Sequence, residues 1–267
     1  MKLARALATA VGLLLLWQAV VTLADLPPYI LPAPLAVLGV WIERADTIAD
    51  HAFITALEMI LGFGLGAALG IASALAVASF RPVRRWLMPL LVVSQAIPVF
   101  AIAPLLVLWF GYGIASKVAM AALIIFFPVA ANFLDGLRRT EPGWLDLAHT
   151  MTVGRRGAAF RVLWHIRIPA ALPALASGLR VAAAVAPIGA IVGEWVGSSA
   201  GLGFLMLHAN ARLQIDLMFA ALLTLALFAL VLYFAVDRSL TALIAWQRET
   251  LPSDTATVSL PATGGAR

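Results

Sequence analysis

Residues 145–173 read LDLAHTMTVGRRGAAFRVLWHIRIPAALP, a break in an otherwise oily chain. The stretch carries Arg155, Arg156, Arg161 and Arg167, has amphipathic spacing, and leaves through a Pro-rich exit. Just ahead of it, EPG at residues 141–143 is a helix-start signal. Trp144, Leu147, Ala148 and Met151 then fall at i, i+3, i+4 and i+7, one apolar stripe on two turns of helix. Gly154 permits a turn within TVGRR. Beyond it the spacing predicts a second short helix, with Phe160, Leu163 and Trp164 on one face and Arg161 and His165 four apart on another. IRIP and LP are its predicted stop, ahead of the next apolar run. Neither helix is long enough to span a bilayer, and apolar faces of this kind are costly to leave in water. Two covers fit equally well at this point: a groove in another protein, or the inner leaflet, where the arginines meet anionic headgroups.

The surrounding composition is that of a membrane-embedded chain. Of 267 residues, 63% are hydrophobic and 12% charged, against about a quarter charged in a soluble domain. The net charge of +5 does not point to nucleic acid, because the basic residues cluster between apolar spans rather than covering one face. The absence of cysteine excludes disulfides, thiolate metal sites and Cys nucleophiles. The four histidines, His51, His149, His165 and His208, share no ligand spacing, so no metal site is expected.

Six stretches meet the requirement of ~20 mostly apolar residues: 7–24, 53–79, 86–110, 116–134, 172–196 and 217–236. Of the 18 Lys and Arg residues, alternating sides leave only Arg44, Lys117 and Arg212 on one face of the membrane. The excess on the other face puts both termini, and the opening stretch, in the cytoplasm. The first span begins like a signal peptide, but its uncharged run is long enough to span and no small-x-small site precedes DLPPYILPAP, so it is expected to be a retained helix. The expected organisation is a first transmembrane helix at 1–24, an external segment at 25–52, a core at 53–249 with a cytoplasmic loop at 138–171, and a tail at 250–267. In the external segment, Val37, Trp41 and Ile48 at helical spacing suggest an interfacial helix with Trp41 at headgroup level; a structured loop fits nearly as well. The polar, Pro- and Gly-rich tail is expected to be disordered. Its LPATG lacks the following hydrophobic span that a sortase signal needs.

The cytoplasmic segment resembles the EAA loop of binding-protein-dependent ABC importer permeases. Asp146-Leu147-Ala148 occupies the E-A-A position, Thr152 the glycine position with Gly154 two residues on, and Ile166-Arg167-Ile168-Pro169 the closing I-x-L-P. The interval is about four residues longer than the family pattern, around GRRG. Three further stretches, SQAIPVFAIAPLLVLWFGYGIASK (94–117), FFPVAANFLDGLRRTEPGWLDLA (126–148) and GAIVGEWVGSSAGLGFLMLHANARLQIDLMFAALL (189–222), resemble the nitrate/sulfonate/taurine-type permeases. Within that group they look most like permeases for hydroxymethylpyrimidine precursors of thiamine.

The resemblance implies an all-α, type I importer permease fold of about six transmembrane helices in a bacterial inner membrane. It implies a coupling helix at Asp146, Leu147, Ala148, His149, Met151, Thr152 and Gly154 that docks on a cytoplasmic ATPase dimer. It further implies a second permease chain, as a homodimer, and an external solute-binding protein. No Gly-x-x-x-x-Gly-Lys-Ser/Thr occurs, and GYGIASK lacks the glycine before Lys117, so the chain is not expected to be an enzyme; ATP and Mg belong to the partner. The solute would be a thiamine pyrimidine precursor or a sulfonate-, taurine- or nitrate-type compound. Polar residues inside spans are functional suspects because lipid penalises them. Gln95, Pro98, Glu194 and Trp195 are assigned to the translocation path or its outer gate; for Glu194, a structural partner such as Arg212 or a backbone amide fits equally. Asn132 is expected to make a helix–helix hydrogen bond, and Asp135 to be an end charge.

Three rivals come from other classes. An intramembrane serine protease built on Ser177 and His208 would leave most of a ~30 Å bilayer between nucleophile and base. A channel would give the amphipathic cytoplasmic pair no purpose. An ion-coupled secondary transporter is the better rival, although the spans hold few carboxylates, chiefly Glu58 and Glu194, and no internal repeat is visible.

Overall fold

A computed structural model describes residues 2–153 and 157–246. The expected tail, together with Gly154, Arg155 and Arg156, lies outside the described residues. The described chain runs through helices α1 (Lys2–Leu23), α2 (Pro34–Glu43), α3 (Ala45–Ser79), α4 (Arg81–Ala96), α5 (Val99–Phe110), α6 (Ile114–Arg138) and α7 (Pro142–Thr152). It continues through α8 (Ala158–Val162), a π-helical turn (Leu163–Arg167), α9 (Ile168–Gly197), α10 (Leu202–Ala211) and α11 (Ile215–Leu243). Proline opens several of these helices, at Pro34, Pro82, Pro142 and Pro169, where its missing N–H is not needed and its fixed φ suits the first turn.

Among the described residues, four helical stretches are long and apolar enough to cross a membrane: Ala45–Ser79, Ile114–Arg138, Ala158–Gly197 and Ile215–Leu243. Shorter apolar helices, among them Ala8–Leu23 and Val99–Phe110, accompany them. Two expectations need correction. The span expected at 86–110 is two helices, because Ile97 (φ −94°, ψ 116°) and Pro98 (φ −60°, ψ 126°) are extended. The ring of Pro98 disfavours the helical region for the residue before it. The second amphipathic helix is not separate either. It runs into the following span, through Pro169 and Pro173, as one stretch from Ala158 to Gly197. Pro169 has no N–H for the carbonyl four residues back, and the wider π turn at Leu163–Arg167 accommodates that gap without ending the helix.

α6 is the central helix, with α3 on one flank and α9 on the other. Close approach is possible because glycines face it. A Cβ on Gly66 of α3 would lie 2.8 Å from the Ala122 carbonyl oxygen and Ile125 Cβ, and one on Gly178 of α9 would lie 2.8 Å from the Pro128 carbonyl oxygen. Small residues at such seams let backbones meet where lipid offers no hydrophobic drive between helices. Ala67, Ala74, Ala121, Ile125, Val129, Phe133 and Ala182 fill this core. Asn132 does not bridge helices as expected: its Nδ2 donates to the Pro128 carbonyl oxygen of its own helix at 2.7 Å.

A second core joins α2, α3, α9, α10 and α11 through Val37, Met59, Ala190, Leu202, Leu205 and Ala220. α2 is thereby fastened to α11, where Trp41 Nε1 donates to Thr224 Oγ1 at 2.9 Å. α10 lies between two expected spans and was not anticipated as a helix. Its buried residues Leu202, Leu205 and Ala209 sit at i, i+3 and i+7, but Phe204, Met206 and Leu207 between them are apolar as well, so little contrast marks the periodicity.

Candidate functional site

At one end of the bundle α6 stops and the chain turns back as α7. The turn is held from across the bundle: the Leu137 carbonyl oxygen, near the end of α6, accepts from Arg167 Nε at 3.2 Å and Nη2 at 2.8 Å. Those are orphan carbonyls of a helix terminus, so a cation is well placed there. One side chain thus ties the end of α6 to the base of α9.

α7 has two faces. Ala148 is buried, with Leu145 and Thr152 half-buried beside it, and Thr152 Oγ1 donates back to the Ala148 carbonyl oxygen at 2.7 Å. Trp144, Leu147 and Met151 are 52%, 61% and 68% exposed. The four-residue apolar stripe expected from spacing therefore divides: Ala148 packs inward on this chain, and the other three point out. Asp146 and His149 are also exposed, whereas Gly154 lies outside the described residues. Trp144, Leu147 and Met151 line an open groove of about 370 Å³, closed on its other side by His165, Ile166 and Trp246. Phe160 and Trp164, whose rings lie 5.9 Å apart, extend the apolar surface; they are 65% and 50% exposed. So much exposed apolar area around one short helix marks a contact surface.

Towards the other end of the same helices lies a buried polar cluster. Glu194, near the end of α9, is buried. Its Oε1 accepts from Thr55 Oγ1 at 2.6 Å, and its Oε2 accepts from the backbone N–H groups of Gly203 and Phe204. Thr55 Oγ1 in turn accepts from the Leu202 N–H at 2.7 Å, and His51 Nδ1 accepts from the Gly201 N–H at 3.0 Å. Side chains from α3 and α9 thus satisfy the free N–H groups at the start of α10, a capping arrangement assembled from distant residues. Arg212 is not among the partners of Glu194. Gly201 has φ +111°, and a Cβ there would run into the Glu194 carboxylate. Trp195 is half exposed, and its Nε1 donates to the Gly203 carbonyl oxygen at 3.1 Å.

Glu58, also buried, faces Lys117 Nζ at 3.8 Å, and neither of its carboxyl oxygens has a hydrogen-bond partner among the described residues. Lys117 Nζ donates to the Tyr112 carbonyl oxygen at 3.3 Å. The sequence places Lys117 at the external end of its span; there it is buried, at 6% exposure, against Gly193 of α9, where a Cβ would lie 3.1 Å from the Lys117 Cα and 3.2 Å from its Cβ and Cγ. Pro98 is exposed in the break between α4 and α5. Gln95 lies in the last turn of α4, and its side chain is outside the described residues. α5 meets the end of α9 through Val107 and Gly197, at the far end of α5 from Pro98.

Comparison with known proteins agrees with this architecture. Residues 62–249 match the family described as binding-protein-dependent transport system inner membrane component. A probable ABC transporter permease protein of Haemophilus influenzae is 57% identical, covering 84% of this chain and 90% of that protein. The formylaminopyrimidine transport permease protein ThiX of Halalkalibacterium halodurans is 35% identical over 83% and 88%. The riboflavin transport system permease protein RibX of Chloroflexus aurantiacus is 36% identical over 90% and 88%. Among solved structures, a chain of an amino acid ABC transporter with histidines superposes with a TM-score of 0.57, covering 77% of this chain and 96% of that one. At 19% identity that likeness shows a common fold.

Proposed function

The chain belongs to the binding-protein-dependent transport system inner membrane components and is a multi-pass permease subunit of an ABC importer; from that premise we propose how its parts divide the work. The outward face of α7, Trp144, Leu147 and Met151 with Asp146 and His149 beside them, docks on a cytoplasmic ATPase. Ala148 and Thr152 seat the helix on its own chain, and Gly154 lets the loop turn. ATP and Mg are held by that ATPase, which carries out hydrolysis, while this chain supplies the path. The carrying observation is the exposed apolar stripe of α7 beside a groove of about 370 Å³, on a helix seated on its own chain by the buried Ala148.

In this scheme two copies of the chain form the pore, an external binding protein delivers the solute, and both termini are cytoplasmic, a reading the bias of Lys and Arg supports. ATP-driven closure of the ATPases moves α7, and through Leu137 and Arg167 the movement reaches α6 and α9 together. The spans then pass between inward- and outward-open arrangements, two states whose balance the nucleotide shifts. Glu194 holds α10 over the end of α9 as part of the outer gate, with Trp195 at its edge, and Gln95 and Pro98 contribute to the path at the α4–α5 break. The solute is a small organic compound of the thiamine-pyrimidine kind or a sulfonate, taurine or nitrate type; the likeness to ThiX supports the first.

The test is co-purification of tagged permease with the ATPase encoded beside it, comparing wild type with Leu147→Arg and Met151→Arg. Both positions are exposed, so the variants keep the fold, whereas Ala148→Arg would break the loop's own packing. ATPase retained by wild type and lost from both variants supports docking at α7. Equal retention by all three places the contact elsewhere. The ion-coupled carrier weighed from sequence has no support in the family match.

A further inference from the structure

We propose that the hollow between the start of α4 and the end of α6 binds the phosphate headgroup of an anionic membrane lipid. The hollow measures about 700 Å³ and is lined by Pro82, Arg84, Arg85, Trp86 and Arg138. Three guanidinium groups from two helices converge there, and no carboxylate lines it. The acid closest along α6, Asp135, is held by Arg139 at 2.8 Å. Arg138 reaches across to α4, where its Nη2 lies 3.4 Å from Met88 Sδ, an uncharged partner.

The placement of Arg84 and Arg85 on α4 sharpens the need for an anion. Both sit in the opening turns of the helix, where unpaired N–H groups already carry positive partial charge. Cations there are unfavourable unless a negative group covers them. Guanidinium forks match phosphate oxygens in geometry as well as charge. A lipid, rather than a soluble phosphate, is selected by the adjoining surface. Trp86 is 77% exposed, at the position of an interfacial aromatic. Phe80, at the start of the same segment, is 60% exposed and offers apolar surface against which an acyl chain can lie. Basic pockets between transmembrane helices are a known way of holding such headgroups. The proposal rests on the chain being a membrane protein and not on ATPase docking at α7.

Full-length permease reconstituted in mixed phosphatidylcholine and phosphatidylglycerol vesicles, then released into detergent, is examined by native mass spectrometry for retained lipid. Wild type is expected to retain phosphatidylglycerol selectively, and each of Arg84→Gln, Arg85→Gln and Arg138→Gln to lower that selectivity about fivefold, the worth of one basic residue near an anionic surface. Arg212→Gln, in the segment between α10 and α11, is expected to leave it unchanged. Lysine at the same three positions keeps the charge and should keep most of the retention. Equal retention of both lipids by wild type overturns the proposal whatever the variants do. So does displacement of the lipid by inorganic phosphate alone, which would make the hollow a site for a soluble anion.

Discussion

Lys117 and Glu58 are buried together between α3 and α6, with 3.8 Å separating ammonium and carboxylate. Removing one partner of such a pair leaves an uncompensated charge, at about 3–5 kcal/mol. Lys117→Met is therefore expected to lower the thermal unfolding midpoint in detergent clearly, and Lys117→Met/Glu58→Leu to recover much of the loss; a double variant no better than the single one would show that the pair is not the cause. Arg167 has a different role. Its two hydrogen bonds to the Leu137 carbonyl oxygen are charge-assisted, and replacing it with Gln is expected to cost about 1.5–3 kcal/mol. Because the latch lies behind α7 and not on its exposed face, Arg167→Gln should still co-purify with ATPase while solute uptake in proteoliposomes falls. Loss of both together would place Arg167 in the docking surface itself.

At the scale of elements, the glycines of α3 separate packing from mere presence. A Cβ on Gly66 would lie 2.8 Å from the Ala122 carbonyl oxygen of α6, whereas a Cβ on Gly64 would meet nothing within 4 Å. Gly66→Leu is expected to destabilise by about 1–3 kcal/mol through overpacking, and Gly64→Leu to change the unfolding midpoint little. The same comparison explains what spacing alone reveals and what it hides. Periodicity found α7, because its polar and apolar residues alternate at helical spacing. It did not find α10, where Leu202, Leu205 and Ala209 are buried but Phe204, Met206 and Leu207 between them are apolar as well. It also ended the segment at Ile168-Pro169 too early, since a proline reads as a stop unless a π turn behind it widens the helix. Ile97-Pro98 is the opposite case, with no π turn, and the expected third span divides there.

For the whole molecule, the four long helices and the shorter ones around them set a topology open to direct test. With the basic end inside, a cysteine placed at Thr150 is expected to react with a membrane-impermeant thiol reagent only in inverted vesicles, and one at Asp46 only in intact cells. The natural chain has no cysteine, so each label reports one position. The reverse pattern would invert the orientation. What the sequence by itself determined is the membrane class, most of the spans, the position of the amphipathic loop and the family likeness. Transfer from water to lipid is nearly additive along the chain, so each segment carries that information locally. Only the tertiary structure decided that Ala148 faces inward while Leu147 faces out, that Glu194 caps α10 with Thr55, that Lys117 is buried against Glu58, and that Arg138 joins Arg84 and Arg85 around one hollow. Each of those facts depends on a partner far away in sequence, and a local pattern does not carry the distance between two helices.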